Sequence, residues 1–315
     1  MVTVEDVTAA ELDDWFDAVE APPEFGVRGG RYRFPPPPGI DPAPRGWMRM
    51  SNLAAAFSDQ RALQLWLERA TLLGLRYADE LLDELCAVPD AQITDDYLHA
   101  LADRARERAG ANAASIRGTA RHTMLQGYLE TGAVRGHGLM REQLGALLEV
   151  LDGCGLDLLP EFSERVVWHP AAGGTMGRLD ARVRCRVTGQ EGVIDLKTKV
   201  KKFWTYQEVA AQEAGYDSAP WMWCGPEDHR GTWQPAPANT LVGTSRECRG
   251  KRVALIAHLP QAANPDLPPA QIIEVDLEYG NQVLACCAMN VRLRSIGKAT
   301  SAARRISGPR LPVIV

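Results

Sequence analysis

No stretch of this chain approaches the roughly 18 consecutive apolar residues of a membrane helix, so no span is expected. It has no CxxC pair, and its seven cysteines (Cys86, Cys154, Cys185, Cys224, Cys248, Cys286 and Cys287) are odd in number. That argues against a disulfide framework and for reduced thiols in a cytosolic compartment. An excess of positive charge is lacking too: 40 acidic residues against 35 basic ones leave a formal charge of -5. No global field draws such a protein to nucleic acid, and any binding of that kind must be local. The acidic start, with Glu5, Glu11, Asp13 and Asp14, lacks the basic residues and apolar run of a signal peptide. No internal repeat is found.

What is present suffices for a core, since 315 residues with 45% hydrophobic content can bury one. A short amphipathic helix is expected within residues 1–20. Residues 21–47 are dominated by Pro and Gly, including the run Pro35-Pro36-Pro37-Pro38, and read as an extended arm without ladder or catalytic role, and as a candidate docking segment for a partner. Helical spacing runs through 51–85 and stops at Pro89. A second helix opens at Thr94 or Asp95 and ends near Arg108. A third covers 112–131 and carries His122, and a fourth covers 141–151. The expected division is an N-terminal Pro-rich arm (1–48), a helical extension (49–110), a core (111–300) and a tail (301–315).

The period then changes. Residues 162–169 read as a strand, and 178–187 alternate, with Leu179, Ala181, Val183, Cys185 and Val187 against Arg178, Asp180, Arg182, Arg184 and Arg186. Residues 192–199 alternate again, so the two form a hairpin with one apolar and one charged face. A connection through 187–190 sets Asp180 opposite Lys197 and diagonal to Asp195. Further on, 205–218 is helical, 217–250 reads as a long loop, 253–258 and 271–277 are strands, and 281–296 is a closing helix. The expected fold is a mixed α/β sandwich.

Hydrolysis of a phosphodiester needs an activated water and a clamp for charge developing on phosphorus, which hard oxygen ligands around Mg²⁺ or Mn²⁺ can supply. Asp180 and Asp195 offer carboxylates. Lys197, two residues on and on the same face, can orient the water or stabilise the phosphorus oxygens, and the Leu196 carbonyl is a candidate further ligand. Asp195-Leu196-Lys197 is the only acidic-x-Lys triplet in the chain, but about one is expected by chance at this size. Its context carries more: a preceding Gly-Arg-Leu-Asp strand, and a following helix with Gln212 and Tyr216 on one face.

In order, Gly118-Thr119-Ala120-Arg121-His122, Gly177-Arg178-Leu179-Asp180, Val193-Ile194-Asp195-Leu196-Lys197-Thr198 and Gln212-Glu213-Ala214-Gly215-Tyr216 resemble the motifs of the PD-(D/E)XK nuclease superfamily, in its RecB-like branch with AddB, CRISPR-associated and phage exonucleases. The resemblance covers roughly a third of the chain. It implies a restriction-endonuclease-like mixed sheet flanked by helices, and metal ligation by His122, Asp180, Asp195 and the Leu196 carbonyl. It also implies Lys197 as the catalytic lysine, Gln212 and Tyr216 as residues that position DNA and that lysine, and Glu164 as an accessory acid. The activity implied is a Mg²⁺- or Mn²⁺-dependent DNA exonuclease of recombination, replication or repair, acting on ends or single strands beside a recombination or helicase partner. The cysteine spacing of relatives that hold an iron-sulfur cluster is absent, so no cluster is expected, and Cys286 and Cys287 read as packing residues. The Ala-, Arg- and Gly-rich composition fits a high-GC bacterium or its phage, hence the cytoplasm of a bacterial or phage-infected bacterial cell.

Plainer readings stand beside these. Asp180 can pair with Arg178 or Arg182, Asp195 with Lys197, and Gln212 and Tyr216 can cap the sheet. Lys199, Lys201 and Lys202 are either a solvated edge or phosphate contacts. Trp204, Trp221, Trp223 and Trp233 read as core anchors before stacking platforms for bases. His99, His137, His169, His229 and His258 read as structural. The rival functions are a structure- or sequence-specific endonuclease and a non-catalytic DNA-binding subunit of the same fold.

Overall fold

A computed structural model describes residues 27–28, 31–43, 45–57, 60–111, 113–136, 138–199, 207–225, 231–260 and 267–303. In chain order the elements are β1 (Val27–Arg28), β2 (Arg31–Tyr32), β3 (Trp47–Arg49), α1 (Met50–Ala54), α2 (Gln60–Tyr77), α3 (Asp79–Ala87), α4 (Asp95–Arg108), α5 (Ala113–Thr131) and α6 (Gly138–Gly153). They continue with β4 (Leu156–Leu159), β5 (Arg165–His169), β6 (Thr175–Leu179), β7 (Ala181–Cys185), β8 (Glu191–Lys199), α7 (Gln207–Asp217), β9 (Trp221–Cys224), β10 (Thr232–Pro235), β11 (Val253–Pro260), β12 (Gln271–Asp276) and α8 (Leu277–Ala303). The fold is mixed α/β: two mixed sheets flanked by helices.

The five-stranded sheet has the order β12-β11-β8-β7-β4. All its neighbours are antiparallel except β8 and β11, which run parallel. β8 is central and is covered on both sides. Ile194 and Leu196 bury against Ala120, Met124 and Leu125 of α5 and Leu144 and Leu147 of α6. Val193 faces the other layer, with Ala211 and Ala214 of α7 and Leu284 and Cys287 of α8. Arg121 ties α5 to this core: its guanidinium donates to Gln143 Oε1 (2.9 Å) and to the Pro260 carbonyl (3.3 Å), which also accepts from Gln143 Nε2 (2.6 Å). A buried arginine saturated with acceptors in this way fixes the azimuth of α5, and with it the direction of the neighbouring His122.

The seven-stranded sheet has the order β1-β2-β3-β6-β5-β9-β10. One face is aromatic: Trp47 meets Trp168 edge-on at 5.9 Å, and Trp223 meets Phe34 at 5.3 Å and Trp233 at 5.2 Å. These tryptophans anchor a core, as their type and spacing suggest. Trp204 lies outside the described residues, as do His137, His229, the 1–20 segment and the 304–315 end.

Helices α2 to α4 close around their own small core of Ala78, Leu81, Leu101 and Ala105. Thr94 caps α4 as expected, its Oγ1 accepting from the Tyr97 N–H at 3.2 Å. Gly74 of α2 lies against Ala105 of α4, where a Cβ would fall 1.7 Å from the Ala105 carbonyl oxygen.

Several expectations are corrected. The Pro-rich 21–47 segment does form ladders: β1 and β2 pair, and β2 pairs with β3, which joins β6. Strands of two or three residues fit between the prolines, and aromatic packing holds them. The 217–250 loop contains the β9–β10 hairpin, too short for its alternation to stand out beside Pro and Gly. The 178–187 strand is two strands in different sheets, parted at Asp180. Arg182, expected on an open charged face, is 2% exposed and donates to the carbonyls of Pro237 (3.1 Å) and Ala238 (2.9 Å). Of the adjacent cysteines only Cys287 is buried, because neighbours on a helix point about 100° apart and cannot share one face.

The hairpin register is also corrected. Cys185 N–H donates to the Gln190 carbonyl, so the turn is 186–189, closed by Gly189 at φ 70°. The ladder pairs Ala181 with Ile194, which leaves Asp180 next in line with Asp195, not Lys197.

Candidate metal centre

Where β6 gives way to β7 the chain changes sheets, and Asp180 sits at that break. Its Oδ2 accepts from the Leu196 N–H of β8 at 2.6 Å, and its Oδ1 lies 3.1 Å from His122 Nδ1 on α5. Glu164 arrives from the turn before β5, its N–H donating to the Asp180 carbonyl at 3.1 Å. Its φ of 53° is left-handed, a conformation costing about 1 kcal/mol or more in a residue with a side chain. The strain falls where its carboxyl joins the cluster. Ligand-type atoms of His122, Glu164 and Asp180 all lie within 4.8 Å of one another.

Asp195 and Lys197 follow on the α7-facing side of β8. Lys197 Nζ is 2.6 Å from Asp195 Oδ2, and Gln212 Nε2 donates to Asp195 Oδ1 at 3.3 Å and to Tyr216 Oη at 3.0 Å. Gln212 and Tyr216, one helical turn apart on α7, thus bond to each other, and Gln212 reaches the strand acid. Gly177 makes room for this: a Cβ there would fall 2.2 Å from the Tyr216 ring. The glycine of the Gly-Arg-Leu-Asp motif is thereby explained by packing.

These residues line one cleft of about 500 Å³. Burial inside it costs charge its solvation, and the titrations respond. Burial pulls His122 down, but the Asp180 carboxylate beside it more than reverses this and raises it to about 9. Glu164, buried and next to Asp180, rises to about 8. Burial lifts Asp195 to about 6 against the opposing pull of Lys197. Asp180, though buried, is held below the usual carboxylate range by His122 and Lys197. Lys197 loses solvation too, but Asp195 and then Glu213 hold it above the ordinary lysine value. Acids raised in this way form a cluster short of positive charge. Two carboxylates and an imidazole, close enough to share one centre, form a group that could hold a divalent cation.

The structure thus brings together His122, Glu164, Asp180, Asp195, Lys197, Gln212 and Tyr216. Asp195 is not part of the His122–Glu164–Asp180 group, and its carboxylate is engaged by Lys197 and Gln212. Leu196 places its N–H on Asp180 and its side chain in the core. Lys201, Lys202 and the Lys199 side chain lie outside the described residues. His169 and His258 are bonded within the fold, His169 Nδ1 accepting from the Ala171 N–H and His258 Nδ1 lying 2.7 Å from Gln271 Nε2.

Other cleft residues escape sequence reasoning. Thr119, Thr123 and Gln126 line the cleft from α5, and helical spacing from His122 could have found them. Tyr32 and Arg49 come from β2 and β3, whose register no local pattern sets, and Ser51 from α1, which follows β3 directly. Glu213 is 0% exposed and neither carboxylate oxygen has a hydrogen-bond partner among the described residues; burial, then Asp195, raise it well above the usual range. Its burial without such a partner thus disfavours the charged form.

Among the described residues, no helix is long and apolar enough to cross a membrane. No protein-family model matches the chain and no curated protein matches it, so the residues of the cleft carry the functional reading by themselves.

Proposed function

We propose that this protein is a divalent-metal-dependent deoxyribonuclease with a restriction-endonuclease-like core, of the RecB-like branch of the PD-(D/E)XK superfamily. It acts as an exonuclease on DNA ends and accessible single strands, in recombination, replication or repair. One observation carries the reading: His122, Asp180, Asp195, Lys197 and Gln212, brought from one break, one strand and two helices, converge on one cleft in the order of the family motifs. The parallel pairing of β11 with β8 after the α7 crossover adds support at the level of the fold.

His122, Glu164, Asp180 and the Leu196 carbonyl would hold the cation, with Asp195 completing the set. When bound, Mg²⁺ or Mn²⁺ supplies Lewis acidity toward the phosphoryl oxygens and lowers the pKa of its water. Lys197 contributes an ammonium fixed at 2.6 Å from Asp195, ready for charge that develops on phosphorus. Gln212 sets the Asp195 carboxylate, and the buried Tyr216 sets Gln212. Low-dielectric surroundings strengthen each of these contacts.

The test is metal-dependent degradation of linear, closed circular and nicked DNA by the wild type, Asp195→Ala and Lys197→Ala. Loss of linear DNA from its ends by the wild type alone is expected. Equal activity in all three proteins would remove the assignment, and cleavage of closed circles would transfer it to an endonuclease.

A further inference from the structure

The cleft has a second wall that the metal chemistry does not use. β3 and β6 run parallel with Arg49 opposite Met176, and Arg178 lies two residues beyond Met176, so both guanidinium groups stand on one face of adjacent strands. Diagonal neighbours of this kind are roughly 7–8 Å apart, within joint reach of one phosphate for side chains this long. That face is otherwise sealed: Met176 and Trp168 are buried, and it opens into the cleft as these two arginines.

The cations of the cleft are not equally available. Lys197 is held by Asp195, and Arg178 is half-buried 3.9 Å from Glu164. Arg49 is exposed, and among the described residues no carboxylate or carbonyl pairs with it. An acidic floor on a chain of net charge -5 repels a polyanion, so binding a DNA strand requires a cation the floor does not consume. A guanidinium on a strand suits this task, because its planar fork engages two phosphate oxygens at once.

We propose that Arg49 is a phosphate-binding residue of the substrate site. It takes a backbone phosphodiester beside the bond to be cleaved, with Arg178 as a second donor, so that a single strand lies between the β3 wall and the Thr119–Thr123 face of α5. This assignment rests on the nuclease reading and extends it to the substrate: with Arg178 shared with Glu164, Arg49 matches the single charge of an internal phosphodiester better than the double charge of a terminal phosphate.

The experiment is fluorescence anisotropy of the full chain with a short labelled single-stranded oligodeoxynucleotide, carrying either a 5′-hydroxyl or a 5′-phosphate, with Ca²⁺ in place of Mg²⁺ to prevent turnover. Arg49→Ala is expected to weaken both oligonucleotides about tenfold and to flatten the salt dependence by about 0.7 in log–log slope, the value of one single-strand phosphate contact. Arg49→Lys keeps that slope and part of the affinity. Calorimetric Mn²⁺ binding and the melting temperature stay at wild-type values, since Arg49 is exposed and touches no proposed ligand. Unchanged affinity and slope in Arg49→Ala overturn the proposal, and so does a loss confined to the 5′-phosphate form. If the wild type binds DNA through Arg49 yet cleaves nothing, the nuclease reading fails and the phosphate site stands. If it cleaves and Arg49→Ala binds and cleaves alike, the reverse holds.

Discussion

The helical region of α2 to α4 and the cleft both contain ion pairs, but of opposite kinds. Glu84 and Arg104 meet in a bidentate pair at 2.7 and 2.8 Å with both side chains in water. Lys197 and Asp195 meet at 2.6 Å with the carboxylate 3% exposed, beside the His122–Asp180 pair. Surface pairs gain little and lose little, whereas burying charge is expensive even when the charge is paired. The helical region draws its stability from apolar contact and close approach. The cleft retains Asp180, Asp195, Glu164 and Glu213 out of water at a cost to stability, and such a cost is characteristic of functional sites.

Charge removal gives the largest contrast. Asp180→Asn and Lys197→Ala are expected to lower DNA cleavage by about 100- to 1,000-fold, the range for removing one preorganised electrostatic group from an enclosed site. Glu84→Ala should leave it unchanged. A cleavage assay under saturating Mg²⁺ measures both, and similar effects from the two regions would erase the distinction.

Glycine separates them next. Gly177→Ala forces the Tyr216 ring away and takes Gln212 with it, so cleavage should fall about 100-fold, as for misplacement by about 1 Å. Gly74→Ala forces α2 from α4 and should cost about 1–3 kcal/mol, the range for overpacking, with turnover intact below the melting transition. Paired denaturation and activity measurements decide. A Gly177→Ala protein with full activity would detach Tyr216 from the chemistry.

Protons offer a finer probe. His122 at about 9 and Glu164 at about 8 both carry a proton at pH 7 in the metal-free protein, and a cation must displace it. Apparent Mn²⁺ affinity should rise from pH 6 to 8 by about tenfold per unit for each proton released, and level off above 9. The sign follows from the raised values: the metal-free cluster binds protons that the loaded one cannot. Calorimetry in buffers of different ionisation enthalpy counts them, and a flat affinity across that window would sink the ligand assignment of His122 and Glu164. Smallest is the cap: Thr94→Ala should cost about 1 kcal/mol in a melt and nothing in cleavage.

The helices and the cleft acids were largely legible in the sequence, and the pairing of strands was not. The Thr94 cap, α5 with His122, and the α7 pair Gln212 and Tyr216 follow from spacing and local chemistry. The β7–β8 register missed by two residues because a two-residue slip returns every side chain to the same face, so alternation cannot distinguish the two pairings. The break at Asp180 was hidden for a related reason: alternation continues through a strand that changes sheets. Glu164 was legible only as an acid near a strand, since its left-handed backbone, and hence its direction, has no sequence signature in a non-glycine residue.

By itself the sequence determined which residue types stand on which face of α5, β8 and α7, because a period of 3.6 or 2 is a local property of the chain. Tertiary structure decided how far apart those faces lie: that Asp180 falls in line with Asp195 rather than Lys197, that Tyr216 fills the space over Gly177, and that Arg49 at the end of β3 reaches the same cleft. Such distances depend on register and layer packing, which join residues far apart in the chain through contacts that no local pattern encodes.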